Sequence, residues 1–208
     1  MTARLGEDLH VDGTVSATSL SLTTGMGRSS LLTDTAKCYT VPLVAMRVWD
    51  AMQTNLPGTA ANDDMGLVGG TFGTDNPTLQ GVDFGGTASD EMCRFQFALP
   101  AEYVSAGAVT IRLRAAMLTT VADTACTVDV ECYKSDRDGD VGSDICATAA
   151  QSMNSLTPAN KDFSITATGL AAGDLLDIRL AFAGSDTGNL GVMIPEISQV
   201  EVLLDVKG

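Results

Sequence analysis

The chain has 208 residues and carries 26 acidic against 12 basic side chains, which gives a formal net charge of −14 at pH 7. Such a surface repels phosphate groups, so neither nucleic acid nor an anionic membrane is expected as a partner. A chain of this length buries roughly 70% of its unfolded surface, so it can fold on a hydrophobic core without disulfide bonds.

The first 35 residues differ from the rest and predict an extended β arm followed by a linker. Apolar residues recur in twos on either side of the turn-like Asp12-Gly13 pair, and a second short alternation follows. A piece this small cannot bury its own apolar face, so it must pack on the main domain or on a neighbouring copy. The side chains expected at this contact are Leu9, Val11, Val15, Leu20 and Leu22.

Residues 36–208 alternate between apolar and polar side chains with the period of half-buried strands. The alternation is clearest over residues 94–99, 109–115, 126–133 and 175–182, and a last strand is expected over 197–206. Residues 44–49 are predicted to continue the first strand, and residues 55–90 to form edge strands or a surface loop around the apolar residues 65–68 and 82–84. The pattern predicts one all-β domain, an antiparallel β-sandwich of the jelly-roll type.

The five cysteines form no CxxC pair, so the sequence favours reduced thiols in a protein made in a cytoplasm. Cys126 and Cys132 lie six residues apart in one predicted strand. An even spacing puts both on the same face, where they are expected to be small buried apolar residues.

The acidic loop of residues 136–140 is the one candidate for a metal site. Asp136, Asp138 and Asp140 alternate around a glycine, as oxygen ligands of calcium can. An EF-hand loop that starts at Asp136 would need Gly at 141 and Glu at 147, but the chain has Val141 and Ala147. We therefore interpret the segment as an acidic hairpin loop, with calcium as the alternative, and we expect no cofactor.

Residues for catalysis are scarce. The single histidine, His10, falls in the predicted arm, away from any nucleophile that the main domain could supply. The acidic clusters at 62–64 and 89–91 could in principle provide paired carboxylates, but no aromatic platform accompanies them in the sequence. Trp49 is interpreted as a core or interface residue, with stacking on a carbohydrate as the alternative. The sequence predicts a protein that is not an enzyme.

Two segments resemble virion proteins. Residues 9–17, LHVDGTVSA, resemble short "xVxGTLxA" segments at the start of tailed-bacteriophage structural proteins, and residues 173–180 resemble the last long strands of viral jelly-roll modules. The resemblance implies a capsid decoration (cement) protein, often trimeric, on the capsid surface of a virion and made in the host cytoplasm. It implies a homo-oligomer bound to the major capsid protein, and it supplies no catalytic residues.

Two other functions stay open. One is a head or tail fibre module that binds a host receptor, and the other is a carbohydrate-binding β-sandwich. The last hypothesis predicts that the affinity for a glycan depends on Trp49.

Overall fold

The computed structural model describes residues 34–84, 89–119, 125–135, 142–185 and 191–207. These residues belong to the unit Thr33–Gly208, and their regular structure is ten β-strands and one 3₁₀ turn, Leu43–Ala45. Within this part of the chain no helix is long and apolar enough to cross a membrane. The prediction of an all-β fold is confirmed.

The strands are numbered in chain order. Their bounds are β1 Asp34–Val41, β2 Gly66–Val68, β3 Thr78–Gln80, β4 Ser89–Ala98, β5 Val109–Met117, β6 Ala125–Lys134, β7 Gln151–Ser152, β8 Ala159–Ile165, β9 Leu175–Ser185 and β10 Pro195–Lys207.

The strand order confirms a jelly roll. One sheet has the order β2-β3-β10-β5-β8, and the other has the order β4-β9-β6-β7. The eight strands from β3 to β10 therefore form two four-stranded layers, in the order of two interleaved Greek keys. All pairs are antiparallel.

Strand β10 holds the larger sheet together. One of its edges pairs with β5 along nine positions, and the register shifts between Ile197 and Gln199. The other edge pairs with β3 at Glu196 and Ile197, and then with β1 from Val200 to Lys207. The shift is a β-bulge, which bends a strand and increases its twist, and it falls where the neighbour of β10 changes from β3 to β1.

Alternate side chains of both sheets fill the core between them. In β6 the residues Cys126, Val128, Val130 and Cys132 are each at most 2% exposed, and the residues between them are partly exposed. The expected burial of the two cysteines is confirmed. Burial raises the pKa of each of these thiols to about 12, so both stay protonated and unreactive at neutral pH.

A short segment hydrogen-bonds to both sheets along one side of the sandwich. Ile145 donates its N–H to the carbonyl of Cys132 in β6 over 2.8 Å and accepts the N–H of Thr166, just after β8, over 2.7 Å. Ala147 donates to the carbonyl of Ser164 in β8 over 2.8 Å. These bonds satisfy strand edges that would otherwise be open to pairing with another chain.

One local prediction was wrong, and one strand was not predicted. Residues 44–49 do not continue β1, because Pro42 follows the strand and the chain turns into the 3₁₀ segment instead. Of the two apolar segments for which an edge strand or a surface loop was left open, residues 65–68 contain the edge strand β2, and residues 82–84 lie outside the strands, although Phe84 is fully buried. The strand that was not predicted is β3, between β2 and β10, whose only buried residue is Leu79, so it gave no alternating signal.

The predicted boundary at residues 35 and 36 falls inside β1, which begins at Asp34. The arm residues Leu9, Val11, Val15, Leu20 and Leu22, together with His10, lie outside the described residues. The arm and its contacts therefore stay a prediction.

Substitution of Gly66 tests how tightly β2 packs against the preceding loop. A Cβ at this position would lie 2.3 Å from the backbone nitrogen of Ala60 and 2.6 Å from the carbonyl carbon of Thr59. Backbone cannot move aside as a side-chain end can, so Gly66→Ala should lower the free energy of unfolding by about 1–3 kcal/mol. The control is Gly58→Ala, where the added Cβ meets nothing within 4 Å. Denaturant unfolding measures both, and equal stability of the two variants would contradict this packing.

Candidate ligand-binding cleft

An open cleft of about 360 Å³ lies on the outer face of the four-stranded sheet. Its lining residues come from β4, β6 and β9 and from the loop that follows the 3₁₀ turn. They are Trp49, Asp50, Arg94, Glu131, Tyr133, Asp177 and Arg179.

Strand register brings the floor of the cleft together. Residues directly opposite one another in adjacent strands have neighbouring side chains. One row across β4, β9 and β6 is Arg94, Arg179 and Glu131. The next row is Gln96, Asp177 and Tyr133.

Arg94 and Asp177 form a two-point ion pair in the floor. Arg94 Nε donates to Asp177 Oδ1 over 2.6 Å, and Arg94 Nη2 donates to Asp177 Oδ2. Gln96 Nε2 adds a hydrogen bond to Asp177 Oδ2 over 3.3 Å. The hydrogen bonds that Arg94 donates to Asp177 raise the pKa of Arg94. Asp177 is only 8% exposed, so this pair fixes the guanidinium plane in place.

Arg179, in the first row, contacts both a carboxylate of the floor and the aromatic ring of Trp49. Its Nη2 donates to Glu131 Oε1 over 2.5 Å, and Tyr133 donates its hydroxyl proton to Glu131 Oε2 over 3.2 Å. The Arg179 Cζ atom lies 5.4 Å from the centre of the Trp49 ring, within the range of a cation–π contact. Arg179 Nε is buried and finds no acceptor within the described residues.

Trp49 is held in the wall by its loop and by one carboxylate. Arg47 and Arg94 exchange backbone hydrogen bonds of 2.8 and 3.0 Å, which tie the loop to β4. Trp49 Nε1 then donates to Asp63 Oδ2 over 3.0 Å. Its neighbour Val48 is buried and Trp49 itself is half-buried. Of the two roles predicted for Trp49, the core role was wrong, because the core position is taken by Val48, and the interface role stays a prediction.

The rim of the cleft beside Trp49 is acidic. Burial, followed by repulsion from Asp63 and Asp50, raises the pKa of Asp64. One oxygen of this carboxylate, Oδ1, is buried without a hydrogen-bond partner within the described residues. The acidic cluster at residues 62–64 thus lies next to an aromatic side chain, which the sequence alone did not reveal.

The other predicted site residues are elsewhere. Glu91 is fully buried and points into the sandwich, so the cluster at 89–91 contributes no carboxylate pair to the cleft. Asp136, Asp138 and Asp140 fall outside the described residues, and the calcium loop stays a prediction. Nearby Asp144 accepts the backbone N–H of both Cys132 and Cys146 over 2.9 Å. Within the described ranges no group of three or more His, Cys, Asp or Glu residues could hold a metal ion.

In comparisons with known proteins, the chain is similar only to solved structures. No protein-family model and no curated protein match the chain. A xylan-binding module, CBM15, is 12% identical with a TM-score of 0.45, and the match covers 84% of this chain and 100% of that one. The CBM36-1 domain of a multidomain xylanase from the hindgut metagenome of Trinervitermes trinervoides is 11% identical with a TM-score of 0.39, over 81% and 96% of the two chains.

A third solved structure, a family 16 carbohydrate-binding module, is 10% identical with a TM-score of 0.35, over 65% of this chain and 79% of that one. Similarities at this level carry no argument about function, which has to come from the cleft. The resemblance to bacteriophage proteins, the trimer and the capsid partner stay predictions.

The partly buried carboxylate of Asp64 should make the stability of the protein depend on pH. Its pKa is raised in the folded protein, so the ionised form costs stability, and this cost is complete above the folded pKa and absent below the unfolded one. Asp64→Asn should therefore raise the melting temperature at pH 7 by up to about 2–4 °C, the shift that about 1 kcal/mol causes in a domain of this size.

The gain in melting temperature should shrink as the pH falls and vanish near pH 3, where the wild-type carboxyl is also protonated. The control is Asp90→Asn, an exposed residue of β4, which should change the melting temperature little at either pH. A gain for Asp64→Asn that does not depend on pH would contradict the electrostatic origin.

Proposed function

We propose that the protein is a carbohydrate-binding β-sandwich that binds a glycan in the cleft beside Trp49 and does not catalyse a reaction. The observation that carries the proposal is the combination of two aromatic side chains, Trp49 and Tyr133, with ion-paired planar groups on one open sheet face. A sugar ring has an apolar C–H face and an edge of hydroxyl groups, and this cleft offers surfaces for both.

The aromatic side chains supply the apolar surface. Trp49 and Tyr133 are both half-buried, so part of each ring remains accessible to a ligand. Both combine a large apolar ring with a polar tip, which suits a ligand that is apolar on one side and wet on the other. Hydrogen bonds fix the orientation of both rings, since Trp49 Nε1 donates to Asp63 and the Tyr133 hydroxyl donates to Glu131.

The ion pairs supply preorganised hydrogen-bonding groups. A carboxylate or guanidinium that is held in one plane loses little entropy when a hydroxyl group binds to it. Asp177 and Arg94 are fixed by two mutual hydrogen bonds, and Gln96 braces the same carboxylate. Adjacent hydroxyl groups of a sugar can bond to neighbouring atoms of such groups.

The same pairing favours binding over catalysis. Both carboxylates in the floor, Asp177 and Glu131, are committed to arginine partners. Ion-paired groups of this kind fix the geometry of a surface. Neither carboxylate is free to act as a general acid that donates a proton to a leaving group. A glycan-binding cleft also serves a fibre module that recognises a host receptor. The cement-protein hypothesis depends instead on the arm.

Substitution of Trp49 tests the proposal directly. Affinity gel electrophoresis against a panel of soluble polysaccharides should show retardation of the wild type by at least one of them. Trp49→Ala should bind that polysaccharide at least about 10-fold more weakly, since buried aromatic anchors dominate binding energy. Phe72→Ala is the matched control, because Phe72 is fully exposed and lies outside the cleft. If no polysaccharide retards the wild type, or if Trp49→Ala is retarded equally, the proposal is wrong.

Asp63 is expected to act as a positioning residue for Trp49. Asp63→Ala removes the acceptor of the indole N–H and should weaken glycan binding less than Trp49→Ala does. Asp63→Asn keeps an acceptor oxygen and should restore most of the affinity. Because the chain has a single tryptophan, its fluorescence reports on the indole environment, and the emission maximum should move in Asp63→Ala but not in Asp63→Asn. An unchanged emission maximum in both variants would contradict this role.

A further inference from the structure

Both arginines of the cleft are neutralised by carboxylates of the protein. Arg94 gives two donors to Asp177, and Arg179 gives one donor to Glu131 while its guanidinium faces the Trp49 ring. A carboxylate or sulfate group on a ligand would have to displace one of these partners to reach an arginine. Such a displacement leaves a partly buried carboxylate without its cation, which is costly.

The charge around these pairs is also unfavourable to an anion. The lining holds three carboxylates, those of Asp50, Glu131 and Asp177, against the two guanidinium groups. Asp63 adds a further carboxylate, which accepts the indole N–H of Trp49, and the chain as a whole carries a net charge of −14. The field at the cleft therefore opposes the approach of a negatively charged ligand.

We propose that the cleft selects uncharged glycans over glycans that carry carboxylate or sulfate groups. This inference rests on the proposed function and adds the class of ligand. Uncharged hydroxyl groups can donate hydrogen bonds to the carboxylates of Glu131 and Asp177 without breaking either ion pair. The ion pairs thus form the floor of the cleft and also disfavour the binding of anionic ligands.

The preference for uncharged glycans can be tested with pairs of polysaccharides that share a backbone and differ in charge. Suitable pairs are hydroxyethylcellulose with carboxymethylcellulose, unsubstituted with glucuronate-bearing xylan, and methyl-esterified with unesterified polygalacturonate, all used in affinity gels with the wild-type protein. For the backbone that binds, the uncharged member should bind at least about 10-fold more tightly. Its affinity should change little when salt is raised from about 0.05 to 0.5 M, since screening acts on charge–charge interactions.

A single substitution should shift the selectivity. Glu131→Gln preserves the shape of the side chain but removes the negative partner of Arg179, so binding of the charged member should improve relative to the uncharged one. The matched control is Asp162→Asn, which releases Arg112 from the equivalent ion pair in the other sheet. This control makes the same change in net charge outside the cleft and should leave the ratio of the two affinities unchanged.

The outcomes separate the two proposals. If the charged member binds as well as or better than the uncharged one and Trp49→Ala abolishes this binding, the inference about ligand class is wrong and the proposed function stands. If no member of any pair binds, or if binding does not depend on Trp49, both proposals are wrong.

Discussion

The register of β9 between β4 and β6 is the constraint on which both the core and the cleft depend. Residues 176, 178, 180 and 182 of β9 point inward and are fully buried, whereas Asp177 and Arg179 point outward into the cleft. A slip of one residue would exchange the two sets, placing charged groups in the core and leucines on the surface. The apolar core therefore fixes the position of every charged group in the cleft floor, and the floor inherits the rigidity of the core.

The cleft also limits how much its charges can contribute to stability. Pairs such as Arg94–Asp177 are partly desolvated, so the gain from attraction is offset by the cost of removing both ions from water. Their arrangement in two adjacent rows is better explained by a binding surface than by a stabilising network. Each pair presents a planar group in a fixed orientation, and Trp49 adds an aromatic wall on the side where the loop is tied to β4.

Alternation in the sequence was sufficient to predict the sandwich, because β4, β5, β6 and β9 each have one buried and one outer face. It failed where the alternation stops, at Pro42 and at the three-residue strand β3. The cleft could not be predicted, because Arg94 meets Asp177 across 83 residues and Arg179 meets Glu131 across 48. Only the strand order, which alternation does not specify, brings these residues into one place.

The central claim is that a glycan binds against Trp49, and the indole N–H of this single tryptophan gives one signal in a ¹H–¹⁵N correlation spectrum. Titration with an uncharged oligosaccharide from the backbone that binds should shift this signal and the arginine Nε–H signals, and should leave the amides of buried β5 residues in place. A glycan that binds while the indole signal stays fixed would contradict the account, because the ligand would then occupy another surface.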